Sequence, residues 1–141
     1  MNQIKVGKLV LAAFITLVIA VAMEVLVESM IGRNLAAGRF VEAWALSLDL
    51  PNWSWVLTTS ISFVNCLWMM WLYAALRPMF GVGVRTALLT SAFALVFIAA
   101  FAVNFAVMGL LPIQVALTEI VYELVELPVA VAAGARVYET S

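Results

Sequence analysis

Five glutamates that lie within hydrophobic stretches are the residues of this chain whose type and spacing could do chemistry. Glu24 and Glu28 are four positions apart, and Glu119, Glu123 and Glu126 follow one another at spacings of four and three. Such spacings place side chains on one face of a helix. Carboxyl groups gathered in apolar surroundings cannot all stay ionised, so they could exchange protons or supply oxygen ligands to a hard cation.

Neutral polar residues occur in the two hydrophobic stretches between these glutamates. Asn65 lies near the middle of one stretch, with Ser62 and Thr58 on the same helical face, and Asn104 lies in the next. We expect the two asparagines to add neutral oxygens to the acidic group and the two hydroxyl residues to support it. The predicted ion-binding residues are therefore Glu24, Glu28, Glu119, Glu123, Glu126, Asn65 and Asn104, with Thr58 and Ser62 as supporting polar groups.

The amino-acid composition indicates whether this chain folds in water or in lipid, and which cofactors and ions it could bind. Hydrophobic residues make up 67% of the 141 positions and charged residues 11%, with a mean hydropathy of +1.16. Soluble domains are only about half apolar, so we expect a lipid bilayer around the protein. Histidine is absent and Cys66 is the only cysteine, which argues against haem and zinc and leaves a hard cation as the inorganic ligand to expect. The basic residues are dispersed, which excludes a nucleic-acid-binding surface.

Four apolar stretches are long enough to cross a bilayer, which takes about 20 residues of helix. They cover residues 9–31, 53–76, 86–108 and 113–135. The sequence therefore predicts an all-α membrane protein with a single domain over residues 1–141, built as an up-down bundle of four transmembrane helices. The loop at 32–52 has apolar residues at helical spacing, which suits either an interfacial helix or a simple connector with an aromatic belt. The pair Arg77-Pro78 is expected to end the second helix and open the loop at 77–85.

The distribution of lysine and arginine predicts the orientation of the bundle. One side of the four stretches holds most of these residues, and the other side holds only Arg33 and Arg39. The richer side carries Lys5, Lys8, Arg77, Arg85 and Arg136. Because cytoplasmic loops carry the excess of basic residues, both termini are predicted to be cytoplasmic, and the protein is expected in a bacterial inner membrane.

Helical periodicity predicts which faces of the last stretch are buried. The acidic stripe is expected to face inward, while the opposite side, which includes Leu117, Val121, Leu124, Pro128 and Val131, is expected to face lipid. Counting 1.5 Å per residue places Glu24 and Glu119 at one level in the outer half, with Glu123 and Glu126 near the midplane. We therefore expect a polar pocket that is open toward the outer side and closed by the cytoplasmic half.

Two functions are consistent with such a pocket. In the first, the protein binds a proton or a small cation, and one version of this hypothesis adds transport. An organic cation is a further candidate ligand. In the second, it is a structural or accessory subunit whose glutamates pair with Arg33 or Arg39, or with a basic residue of a membrane-protein partner or a second copy in a homodimer. An enzyme is the less favoured class, and no residue is nominated as catalytic.

Overall fold

The computed structural model describes residues 5–27, 29, 51 and 53–140. This part of the chain folds into α-helices and contains no β-strand. The helices are α1 (Val6–Val27), α2 (Ser54–Phe80), α3 (Val84–Val107) and α4 (Ile113–Thr140). The all-helical fold agrees with the prediction. The interfacial helix expected in the loop at 32–52 lies outside the described residues.

Three of the helices are long and apolar enough to cross a membrane: α1 with 22 residues, α2 with 27 and α3 with 24. The protein is thus suited to membrane integration. The fourth helix is the longest, with 28 residues, but Glu119, Glu123 and Glu126 interrupt its apolar sequence. The same three residues therefore make α4 both the most polar helix and the main contributor to the predicted site.

The helices alternate in direction, and their packing defines two ends of the bundle. Each of α1 and α3 packs extensively against α4 and less extensively against α2, whereas α2 and α4 share few contacts and, within their described residues, α1 and α3 share none. The start of α1, the end of α4 and the turn between α2 and α3 lie together, and we call this the terminal end. The opposite end, at the turn between α3 and α4, is the loop end. All five described basic residues lie at the terminal end: Lys5, Lys8, Arg77, Arg85 and Arg136.

The hydrophobic core is concentrated toward the terminal end. Its buried members are mostly small or flexible side chains, which let the helices approach closely. They are Ala12, Ala13, Cys66, Met69, Met70, Tyr73, Ala74, Ala87, Ala94, Leu127, Val131, Ala135 and Tyr138. The helices approach one another closely at Gly134 of α4, where an added Cβ would lie 2.0 Å from Thr16 Oγ1 and 2.9 Å from both the Ala12 carbonyl oxygen and Met70 Sδ.

Two local expectations are corrected by the structure. The second helix does not end at Arg77 and Pro78 but continues to Phe80, because the Gly81 N–H donates to the Arg77 carbonyl oxygen at 2.9 Å and closes one more turn beyond the proline. It ends at Gly81, whose φ of 86° suits a residue without a side chain. Val131 was expected to face lipid and is instead 0% exposed, since α4 is covered on two sides where α1 and α3 both pack against it.

Candidate functional site

A cavity of about 190 Å³ lies between α1, α2 and α4, with Ile98 of α3 also in its lining. We call it the acidic pocket. Its lining combines apolar side chains with an unusual number of polar ones for the interior of a membrane bundle. The polar and acidic lining residues are Thr16, Glu24, Ser62, Asn65, Glu119, Tyr122, Glu123 and Glu126. The structure thus brings together four of the five predicted glutamates with Asn65 and Ser62.

The three glutamates of α4 form a series that becomes progressively more covered by the bundle. Glu119 is exposed, Glu123 is half-buried and Glu126 retains only 9% of its accessible surface. Each lies about one turn further from the loop end than the one before it, because a turn of helix takes 3.6 residues. The pocket is therefore open toward the loop end, where Glu119 and the likewise exposed Glu24 lie, and is closed beyond Glu126.

The electrostatic surroundings of these carboxyl groups are dominated by one another. Among the described residues, the charged groups that act on Glu123 are Glu126, Glu119 and Glu24, and Glu24 also acts on Glu119. The accessory-subunit hypothesis pairs these glutamates with Arg33 or Arg39. Both arginines lie outside the described residues, as does the predicted ion-binding residue Glu28. Pairing with those arginines accordingly stays a prediction.

Tyr122 belongs to the pocket although it was not among the predicted residues. Its hydroxyl and Glu123 Oε2 are buried, and within the described part of the chain neither atom has a hydrogen bond of ordinary geometry. The hydroxyl nevertheless interacts with the Glu126 carboxyl group four residues later. That spacing of four was the signal that could have found it, since it places Tyr122 and Glu126 on one face of α4.

Two predicted residues lie away from the pocket. Asn104 is exposed, and its Nδ2 lies 3.7 Å from Met108 Sδ. It follows Ile98 by six positions, which turns its side chain to a different face of α3 from the one that reaches the pocket. Thr58 is also exposed and donates to the Ser54 carbonyl oxygen of its own helix at 3.0 Å. It lies one turn nearer the loop end than Ser62, outside the lining of the cavity.

Glu123 also lines a second, more apolar cleft of about 140 Å³ between α3 and α4. Ser91 of α3 and Pro128 of α4 are part of that lining. Because Pro128 has no N–H, the carbonyl group of Leu124, which also lines the cleft, lacks its usual helical donor. Glu123 is thus placed between the acidic pocket and a cleft on the outside of the bundle.

The acidic pocket has room for water beside its carboxyl groups. Within the residues that the structure describes, no three acidic, cysteine or histidine side chains are arranged as a metal-binding group. The volume of about 190 Å³ holds several water molecules, each of which occupies about 30 Å³ in the liquid. Water, the Tyr122 hydroxyl and the carboxyl groups together can hold a proton or a small solvated cation.

Comparison with known proteins does not assign the chain to a family. No family model, no curated protein and no solved structure matches it. The function must therefore be argued from the pocket itself.

Proposed function

We propose that the protein binds and exchanges a proton or a small cation at the acidic pocket. The observation that carries this proposal is the series Glu119, Glu123 and Glu126, which leads from an exposed to a buried position along one cavity. A ligand that enters at the loop end would meet the carboxyl groups in that order. Acidic residues at membrane depth are costly and typically mark pathways for protons or ions.

The size of the pocket favours the smallest ligands. Sites for drug-sized molecules occupy about 300–1,000 Å³. The acidic pocket measures about 190 Å³ and has no three-residue metal group among the described residues. These two properties support a proton or a monovalent cation over a large organic cation or a tightly held divalent metal.

The proposal includes the placement of the protein in the membrane. We infer that α4 spans the bilayer together with α1, α2 and α3, in a bacterial inner membrane, and that the terminal end faces the cytoplasm. Its support is the collection of Lys5, Lys8, Arg77, Arg85 and Arg136 at that end. The acidic pocket would then open toward the outer side.

Proton movement into sealed proteoliposomes tests the proposal directly. A potassium gradient with valinomycin supplies a membrane potential, and a pH-sensitive dye inside the vesicles reports proton entry. We expect the wild-type chain to admit protons and Glu123→Gln to fall to the level of empty vesicles, because glutamine keeps the shape of glutamate but cannot exchange a proton. Repeating the assay with Na⁺ as the permeant ion distinguishes a proton from a small cation.

Asn104→Ala is the matched control, since Asn104 is a polar residue of similar size that lies outside the pocket. It should conduct like the wild type. Melting curves in detergent measure both folding and cation binding. A cation present at 100 times its dissociation constant stabilises the folded state by about 2.7 kcal/mol. The Glu123→Gln variant should not be stabilised by the cation. Unchanged flux and unchanged cation stabilisation in Glu123→Gln would contradict the proposal.

The second candidate is an accessory subunit, and the exposure of Glu119 favours it. A basic residue of a neighbouring protein can stabilise an acidic side chain that is exposed at membrane depth, just as a bound ligand can. If this function is correct, the chain co-purifies in fixed stoichiometry with a membrane-protein partner or a second copy of itself. Glu119→Gln should then release the partner, while vesicles that contain the chain alone show no ion flux.

A further inference from the structure

The terminal end of the bundle is fastened by a group of contacts around Tyr73, which is 0% exposed. Its hydroxyl donates to a carboxylate oxygen of Glu139 on α4 and accepts a hydrogen bond from the Gly83 backbone N–H at 3.1 Å. Its ring packs edge-on against the ring of Tyr138, with 6.3 Å between the centroids. The Arg77 guanidinium lies 5.9 Å from the centroid of that same ring. We call these five residues the terminal latch.

The latch joins two helices that otherwise share few contacts. Tyr73 belongs to α2 and Glu139 to α4, and the interface between these helices is the smallest in the bundle. A hydrogen bond to a carboxylate is stronger than one between neutral groups. The Tyr73–Glu139 contact therefore links α2 directly to α4 at this end.

The loop end is fastened differently. There, the Ser29 hydroxyl donates to the Leu26 carbonyl oxygen three residues earlier, and the hydroxyl groups of Thr58, Ser60 and Thr118 each donate to a carbonyl oxygen within their own helix. These hydrogen bonds do not tie one helix to another. The Tyr73–Glu139 contact between α2 and α4, by contrast, lies at the end on which the pocket is closed.

A continuous column of side chains connects the pocket to the latch. Cys66, Met70 and Tyr73 lie on one face of α2, at spacings of four and three, and Cys66 lines the pocket. Below the pocket, Met70 and Thr16 approach Gly134 closely, and all three residues are buried. This layer closes the pocket toward the terminal end, and the latch holds the layer in place.

The chain near the latch has features that allow α2 to move. The turn that follows α2 contains Gly81 and Gly83, both with positive φ angles that glycine adopts without strain. Pro78 removes a backbone hydrogen bond from the last turns of α2. Rotation of α2 away from α4 would break the Tyr73–Glu139 contact and separate Met70 from Gly134 without requiring a change at the loop end.

From this geometry we propose that the terminal latch is a gate, and that release of Tyr73 from Glu139 opens the acidic pocket to the terminal end. Access from the loop end in the closed form and from the terminal end in the open form would let a bound ligand cross the membrane. The transport role of this gate rests on the proposed function, but the opening itself is a property of the fold that can be measured separately.

The only cysteine of the chain, Cys66, reports the opening without further engineering. It is 4% exposed and lines the pocket above the closing layer. The experiment uses the full-length protein in sealed vesicles and a membrane-impermeant maleimide added either to the side that carries the termini or to the opposite side. We expect terminal-side labelling of the wild type to be slow, and Tyr73→Phe to accelerate it about tenfold or more, as loss of a hydrogen bond to a charged group implies.

Further variants separate gating from a general loss of structure. Glu139→Ala should accelerate the terminal-side labelling of Cys66 about as much as Tyr73→Phe does. The double variant should label little faster than either single variant, because both substitutions break the same contact. Tyr138→Phe is the matched control: it removes a hydroxyl group at the same end but keeps the ring that contacts Tyr73 and Arg77, so it should label like the wild type.

The labelling results test the gate independently of the flux assays that test the proposed function. Terminal-side labelling that is equally slow in the wild type, Tyr73→Phe and Glu139→Ala would overturn the gate, whatever the flux assay shows. Labelling that rises equally from both sides, or equally in Tyr138→Phe, would also overturn it, since the substitutions would then have loosened the whole bundle. A fast terminal-side reaction in Tyr73→Phe without any proton or cation flux would uphold the gate and refute the transport function.

Discussion

At the scale of single residues, the environment of each carboxyl group decides what that group can do. Glu119 and Glu24 at the mouth of the acidic pocket are exposed, whereas Glu126 is buried and interacts with Tyr122. Glu123 lies between these extremes and lines both the pocket and the cleft beside Pro128. It is therefore the residue at which a substitution should separate ligand binding from packing most clearly.

Gly134 sets how closely α1, α2 and α4 can pack below the pocket. We expect Gly134→Ala to destabilise the protein by about 1–3 kcal/mol, which is the usual cost of adding a methyl group to a filled core. The reason is the 2.0 Å distance from the added Cβ to Thr16 Oγ1. Unfolding in a mixed detergent titration measures the change.

Gly7→Ala provides the control, because a Cβ at Gly7 meets no atom within 4 Å. It should leave the stability unchanged or slightly raised, since alanine is the better helix former. Adding Thr16→Ala to Gly134→Ala should recover part of the loss by removing the nearest atom. Equal stability of Gly134→Ala and Gly7→Ala would mean that the helices are not in close contact at this position.

At the scale of secondary structure, α4 combines properties that conflict in an isolated helix. On insertion scales an acidic residue at the centre of a helix costs roughly 2.5 to 3.5 kcal/mol, whereas a leucine contributes only about −0.3 to −0.6 kcal/mol. α4 carries Glu119, Glu123 and Glu126 within its apolar part, which explains why it differs from the three more apolar helices. Its extensive packing against α1 and α3 can offset that cost.

Membrane insertion of α4 should therefore depend on the rest of the chain. We expect the isolated segment Ile113–Thr140 to insert poorly in a glycosylation-based insertion assay and Glu123→Leu to improve its insertion markedly. Within the full-length chain, the wild-type segment should insert as well as the variant. Glu139→Leu, a change near the end of the helix, should alter insertion of the segment far less. Efficient insertion of the isolated wild-type segment would show that α4 needs no neighbours.

At the scale of the whole molecule, the alternating helices place both ends of the described chain on one side. Every described basic residue lies on that side too, so the positive-inside rule and the packing of the helices agree. The latch is at this end as well. Among the described residues, the basic side chains and most of the core thus lie at one end of the bundle, and the pocket opens at the other.

Reporter tags at the two termini test this arrangement in cells. We expect an N-terminal and a C-terminal tag to report the same side, and that side to be the cytoplasm. An alkaline phosphatase tag is active only outside the cytoplasm, whereas a green fluorescent protein tag fluoresces in the cytoplasm. The two tags therefore give opposite readouts at the same terminus. Tags on opposite sides would show that α4 does not cross the membrane and would contradict the proposed pocket.

The sequence alone indicated helices long and apolar enough to cross a membrane, the all-helical class of the fold and the glutamates around which a site could form. Apolar runs of membrane length and carboxyl groups at spacings of three and four need no tertiary information, because helical geometry is local. Counting depth along each stretch then placed Glu24, Asn65 and the glutamates of α4 at similar levels, which is why one shared pocket was predicted.

Only the tertiary structure decided which residues complete the site and which end of it is closed. Asn104 is polar and lies at membrane depth, yet the rotation of α3 places it away from the pocket, and the covering of α4 by two neighbours buries Val131. Tyr122 joins Glu126, and Tyr73 meets Glu139 over a sequence separation of 66 residues. Such contacts depend on how helices rotate and pack against one another, and periodicity within a single helix does not encode that relation.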